Sequence, residues 1–144
     1  MKKNFALGID IGGSHLAVAM VDISKKEIIE DTKSHVAIDS KADALSILQG
    51  IADAIKETLK TFNQPILGIG VSIPGPLDYK NGISKIYDCN KFDSIFGADI
   101  KTYLYNQLTD YIDNPYKIVF INDAASFVLG EAWRHNLTTN NVTG

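Results

Sequence analysis

The chain has a single cysteine, Cys89, among its 144 residues. That excludes an internal disulfide framework and any zinc site built from several thiolates. Its three histidines, His15, His35 and His135, lack metal-ligand spacing among themselves. No excess of positive charge is present: 14 basic residues face 17 acidic ones, for a net charge of -3. A broad basic field for nucleic acid is therefore not expected. No apolar run approaches the roughly 18 residues of a membrane span. Met1-Lys2-Lys3-Asn4 imitates the start of a signal peptide, but the apolar stretch after it is short, contains Asp10 and leads to no cleavage site. The expectation is a cytoplasmic protein with no membrane partner. What is there suits one folded domain: 45% hydrophobic and 22% charged residues, in a length typical of one domain.

Phe5 to Ile9 and Leu16 to Val21 read as two short strands joined by Asp10-Ile11-Gly12-Gly13-Ser14, a glycine hairpin. Glu27 to Ile38 supplies a third strand, expected to be interrupted in its polar centre. Ser40 with Asp43 resembles a capping box opening a helix. Its apolar face runs through Leu45, Leu48, Ile51 or Ala52, Ile55, Leu59 and Phe62. Ile66 to Ile73 reads as a buried strand that ends at Pro74-Gly75-Pro76. Leu77 to Phe92 suggests a loop with short strand pieces. Ile100, Leu104, Leu108 and Tyr111 mark a second helix, Lys117 to Ile121 another strand, and Ala124 to Arg134 a third helix. The order is three strands, helix, strand, helix, strand, helix.

Several residues have the makings of chemistry. Glycines at 12 and 13 let a ligand approach the backbone, and consecutive turn amides can hold an anion. Asp10 beside them would repel phosphate unless it also served Mg²⁺, so a nucleotide with Mg²⁺ satisfies the set. An ordinary Asx turn explains the same residues. Asp123, after the apolar strand, is placed either to act as a base over the sheet or to cap the following helix. Asn122 and Asn90 can donate to and accept from a polyol, and Gly75 marks a close approach or merely a sharp strand exit. Cys89, Glu131 and Trp133 read as structural. Ser14 and Ser72 do not sit in a nucleophile-elbow pattern.

Four of these segments together resemble the first lobe of the ROK family, within the sugar kinase, actin and Hsp70 superfamily. They are Gly8-Ile9-Asp10-Ile11-Gly12-Gly13-Ser14; Gly68 through Pro76 with Leu77-Asp78; Cys89-Asn90; and Asn122-Asp123-Ala124 with Gly130-Glu131 and Trp133. The resemblance implies a ribonuclease H-like (actin-like ATPase) α/β domain. Its mixed five-stranded sheet would run in the order 3-2-1-4-5 with helices packed on it. It implies ATP-dependent phosphorylation of a hexose or amino-hexose. Asp123 would be the general base, and Asp10 would organise Mg²⁺ and phosphate. Gly12, Gly13 and Ser14 would form the phosphate turn, with Gly75, Asn90, Asn122 and Asp123 at the sugar. The chain departs from the family pattern at Ser14 (usually Thr), His15 (often Lys), Ile121 (usually acidic) and Ala125 (usually Asn). The resemblance further implies a second lobe in cis, so residues 1–144 are expected to supply half a cleft and to be inactive alone. It allows a homodimer of the longer protein. A non-catalytic sugar-sensing protein is the alternative. A DNA-binding repressor is not expected, because the glycine motif starting at residue 8 leaves no room for a preceding helix-turn-helix.

Overall fold

The computed structural model describes residues 4–87 and 92–122. Strand β1 (Phe5–Ile11) alternates buried Leu7, Ile9 and Ile11 with Gly8 and Asp10 on the opposite face. It turns back into β2 (His15–Asp22), paired antiparallel from Phe5↔Asp22 to Ile11↔Leu16. The turn closes where the Gly12 N–H donates to the His15 carbonyl at 2.8 Å. Strand β3 (Glu27–Ala37) extends the meander.

As expected, the polar centre of β3 interrupts its pairing: the register passes from Val18↔Ser34 to Met20↔Ile29, and residues 30–33 have no ladder partner on β2, although the strand runs on. Thr32 carries the irregularity: its hydroxyl accepts from the Met20 N–H at 2.8 Å and donates to the Ile29 carbonyl at 2.6 Å. A side chain thus replaces a missing ladder partner, and the strand continues.

Helix α1 (Ala44–Phe62) begins at Asp43, not at Ser40. The Asp43 carboxylate accepts from the Ser46 N–H at 2.8 Å, which satisfies one of the free amides of the first turn. Ser40 serves elsewhere, its carbonyl accepting from the Phe92 N–H at 2.7 Å. The buried stripe is Ile47, Leu48, Ile51, Ala52, Ile55 and Leu59, whereas Leu45 is 62% exposed. With the helix starting at 44, Leu45 belongs to a first turn that the sheet does not cover. Asn63 ends the helix in the left-handed region, donating its N–H to Leu59.

After α1 the chain returns as β4 (Ile69–Ile73), parallel to β1. Two-residue strands β5 (Leu77–Asp78) and β6 (Ile83–Ser84) form a separate ribbon. Helix α2 (Ile100–Gln107) is capped by Asp99 and stops before Tyr111. Leu108 and Tyr111 still pack inward, from a turn rather than from helix. Strand β7 (Ile118–Asn122) then pairs parallel to β4. The main sheet runs β3-β2-β1-β4-β7, the expected 3-2-1-4-5 order with β7 as its fifth strand. The expected helix at 124–134 lies outside the described residues.

The two faces of the sheet differ. One carries Leu7, Ile9, Ile11, Leu16, Val18, Met20, Ile69, Val71, Ile73, Ile118 and Phe120, all buried in the core with α1 and α2. The other carries Gly8, Asp10, Ala17, Ala19, Val21, Gly70, Ser72 and Ile121, lining a shallow hollow of about 340 Å³.

Candidate functional site

Strands β1, β4 and β7 are mutually parallel, so their carboxyl ends share one edge. In an α/β sheet that edge is where ligands bind. The register fixes what meets there. Asp10 on β1 is level with Ser72 on β4, which is level with Ile121 on β7; Ile73 is level with Asn122. Gly12, Gly13 and Ser14 follow β1 directly, Gly75 lies two residues past β4, and Asp123 is the next residue after β7.

The sheet therefore brings together the backbones of Asp10, the 12–14 turn, Gly75 and Asn122. Asp10, Gly13 and Ser14 are exposed, and Gly75 is half-buried. The Ser14 hydroxyl and the His15 imidazole Nδ1 are 3.0 Å apart. Because the Gly12 N–H already closes the hairpin, the amides left to offer an anion are those of Gly13 and Ser14. The Gly75–Pro76 peptide is cis. Asp123 and Asn90 lie outside the described residues, as does the Asn122 side chain.

The flanks of the Asn90 segment are well anchored. Tyr87 packs edge-on against Phe96 with ring centroids 5.5 Å apart. Phe92 is fully buried with a left-handed φ of 58°, and its N–H is held by Ser40. The Ser94 hydroxyl donates to the Ala42 carbonyl at 2.6 Å. These bonds tie Phe92 and Ser94 to the chain just before α1. Beyond Gly75, the Asp78 carboxylate accepts from the Asn81 side chain at 2.9 Å and from its N–H at 3.2 Å. Both bonds favour the charged form and lower the Asp78 pKa.

No three His, Cys, Asp or Glu side chains converge among the described residues. Among the described residues, the donor set at this edge is one exposed carboxylate, Asp10, beside a glycine turn. That suits Mg²⁺, which takes most of its oxygens from water and phosphate and needs only one or two protein carboxylates. Ser72, set aside in the sequence because it sits in no nucleophile-elbow pattern, is the one polar residue in an apolar strand and shares the parity of Gly70.

The fold recurs in known proteins. A glucokinase of Thermotoga maritima is 31% identical over 135 residues, covering 92% of this chain and 38% of that protein. The chain thus spans well under half the length of this curated relative. The inorganic polyphosphate/ATP-glucomannokinase of an Arthrobacter species superposes with a TM-score of 0.71 at 26% identity, over 90% of this chain and 48% of that one. A ROK hexokinase from Thermus thermophilus shares the fold with a TM-score of 0.67 at 22% identity, over 91% of this chain and 38% of that one. The sequence model of the ROK family matches residues 6–143, and the chain belongs to that family.

Proposed function

We propose that the chain is the first lobe of a two-lobe sugar kinase that transfers phosphate from ATP to a hydroxyl of a hexose or amino-hexose. The carrying observation is the convergence of Asp10, the glycine turn, Gly75 and the end of β7 on one edge of three parallel strands. The glucokinase relative supports the sugar class. The share of that relative which the chain spans supports a second lobe in cis.

Asp123 acts as general base: it takes the proton of the attacking sugar hydroxyl as the new O–P bond forms and the bond to ADP breaks. Asn90, Asn122 and Gly75 orient the sugar, and the amides of Gly13 and Ser14 bind phosphate oxygens. Asp10 holds Mg²⁺, which when bound supplies charge neutralisation at the phosphates. Phosphoryl transfer depends mainly on such positioning, which requires both walls of a cleft. The 144-residue chain alone is therefore inactive, and the reading places it in the cytoplasm.

The test is ADP release by the complete gene product across a panel of hexoses. The expected result is release that depends on one hexose or amino-hexose. Asp123→Asn is expected to lower turnover about 10²- to 10⁴-fold with an unchanged melting temperature. Folded protein that releases no ADP with any sugar overturns the kinase reading. Turnover by residues 1–144 alone overturns the half-cleft.

A further inference from the structure

Ser72 is only 5% exposed, and its Oγ has no hydrogen-bond partner. Among the described residues it is the one buried side-chain polar atom in that state. A hydroxyl withdrawn from water without a partner opposes folding, and alanine would fill the same place without that penalty. Serine here works against the stability of the lobe, so its oxygen calls for another explanation.

Its surroundings offer one. Ser72 lies level with Asp10 in the parallel β1–β4 pair, on the same open face, and both line the same hollow. The level neighbour on its other side is Ile121, which has no polar side-chain atom. One step back, Gly8 and Gly70 are also level, and a Cβ on either would meet no described atom within 4 Å. The Ser72 hydroxyl is thus a donor one strand away from an exposed carboxylate that can only accept when ionised, with no side chain on the two glycines beside them.

We propose that Ser72 is a positioning residue for Asp10. Its Oγ–H donates to the Asp10 carboxylate when that group engages the cation on the phosphate side, and so fixes which carboxylate oxygen faces the phosphates. The assignment rests on the role of Asp10 proposed above. It adds a residue that touches neither nucleotide nor sugar and acts through the carboxylate alone.

The experiment compares wild type, Ser72→Ala, Ser72→Thr and Asp10→Ala in the complete gene product. It measures the melting temperature without ligand, Mn²⁺ affinity in the presence of ADP by paramagnetic resonance, and the separate KM values for Mg·ATP and sugar. Ser72→Ala is expected to melt at or above the wild-type temperature. It should weaken Mn²⁺ binding about tenfold, raise the KM for Mg·ATP similarly and leave the sugar KM within about twofold. Ser72→Thr keeps the hydroxyl and should restore metal affinity. A lower melting temperature for Ser72→Ala assigns the hydroxyl a structural partner and overturns the inference, whatever the metal does. So does unchanged Mn²⁺ affinity in Ser72→Ala where Asp10→Ala has lost it, or a threonine variant that restores nothing. If Asp10→Ala binds Mn²⁺ as wild type does, or wild type binds none with ADP, the proposed role of Asp10 falls first and this inference with it.

Discussion

The two faces of one sheet are built to different rules. The helix-covered face has large aliphatic side chains at nearly every inward position of β1, β2, β4 and β7, and they are almost wholly buried. The opposite face of the same strands, open among the described residues, has Gly8, Ala17, Ala19 and Gly70 where a core would place Val or Ile, together with the polar pair Asp10 and Ser72. Two of its larger apolar side chains, Ile28 and Val119, remain 43% and 55% exposed. The strand backbone is common to both faces, so the difference lies in the alternate residues alone. The covered face supplies stability by burying area; on the other face the described strands carry small and polar residues that bury little area against the described helices.

Substitutions across that divide give the largest contrast. Ile55→Ala, at a fully buried α1 position, is expected to cost about 2–5 kcal/mol in urea unfolding of this chain. Ile28→Ser, on the open face, should stay within about 0.5 kcal/mol. Equal losses would mean that the open face is packed as tightly as the covered one. Glycines sharpen the contrast. A Cβ at Gly68 would sit 2.7 Å from the Lys117 carbonyl oxygen, so Gly68→Ala should cost about 1–3 kcal/mol. At Gly70, two residues on, a Cβ would meet no described atom within 4 Å, and Gly70→Ala should stabilise this chain by about 0.5 kcal/mol through lower backbone entropy in the unfolded state. A loss at Gly70 measured by the same titration would contradict that reading.

Smaller effects probe the edges of the covered side. Thr32→Val removes the acceptor for the Met20 N–H and should cost about 1 kcal/mol, with slower-exchanging amides in β2 losing protection. The smallest effect is at Asp43. The Ser46 hydroxyl and then the Ser46 N–H, both bonded to its carboxylate, hold its pKa below the ordinary 3.8. A lowered folded pKa means that the cap's contribution is complete above about 3.8 and is lost as pH falls through the folded value. Asp43→Ala should therefore lower the melting temperature slightly at neutral pH and flatten the decline in stability below pH 3.8. An unchanged acid slope in the variant would remove Asp43 from that decline.

Much of this was legible in the residues. The alternation in Phe5–Ile11 and His15–Asp22, the glycines between them and the aliphatic stripe of α1 state their secondary structure locally. The motif at 8–14 placed Asp10 and the turn. Local pattern failed where a distant segment decided. Ser40 looked like a cap, but Phe92 claims its carbonyl and Asp43 takes the cap. The polar centre of β3 does break the ladder, but the residues alone did not show that Thr32 bridges the break by accepting from the Met20 N–H. Tyr111 fitted a helical spacing, but α2 ends at Gln107.

By itself the sequence determined the elements, the hairpin turn and the family motifs, because these depend on neighbours within a few residues. Only the tertiary structure decided which motif residues meet. Asp10 and Ser72 are 62 positions apart in the numbering, and no local preference relates them. The parallel register of β1 and β4 puts them level, on the face that α1 leaves open. Strand alternation then turns a single serine in an apolar run into a buried hydroxyl beside a carboxylate, because one step along the strand would have turned it toward the core instead.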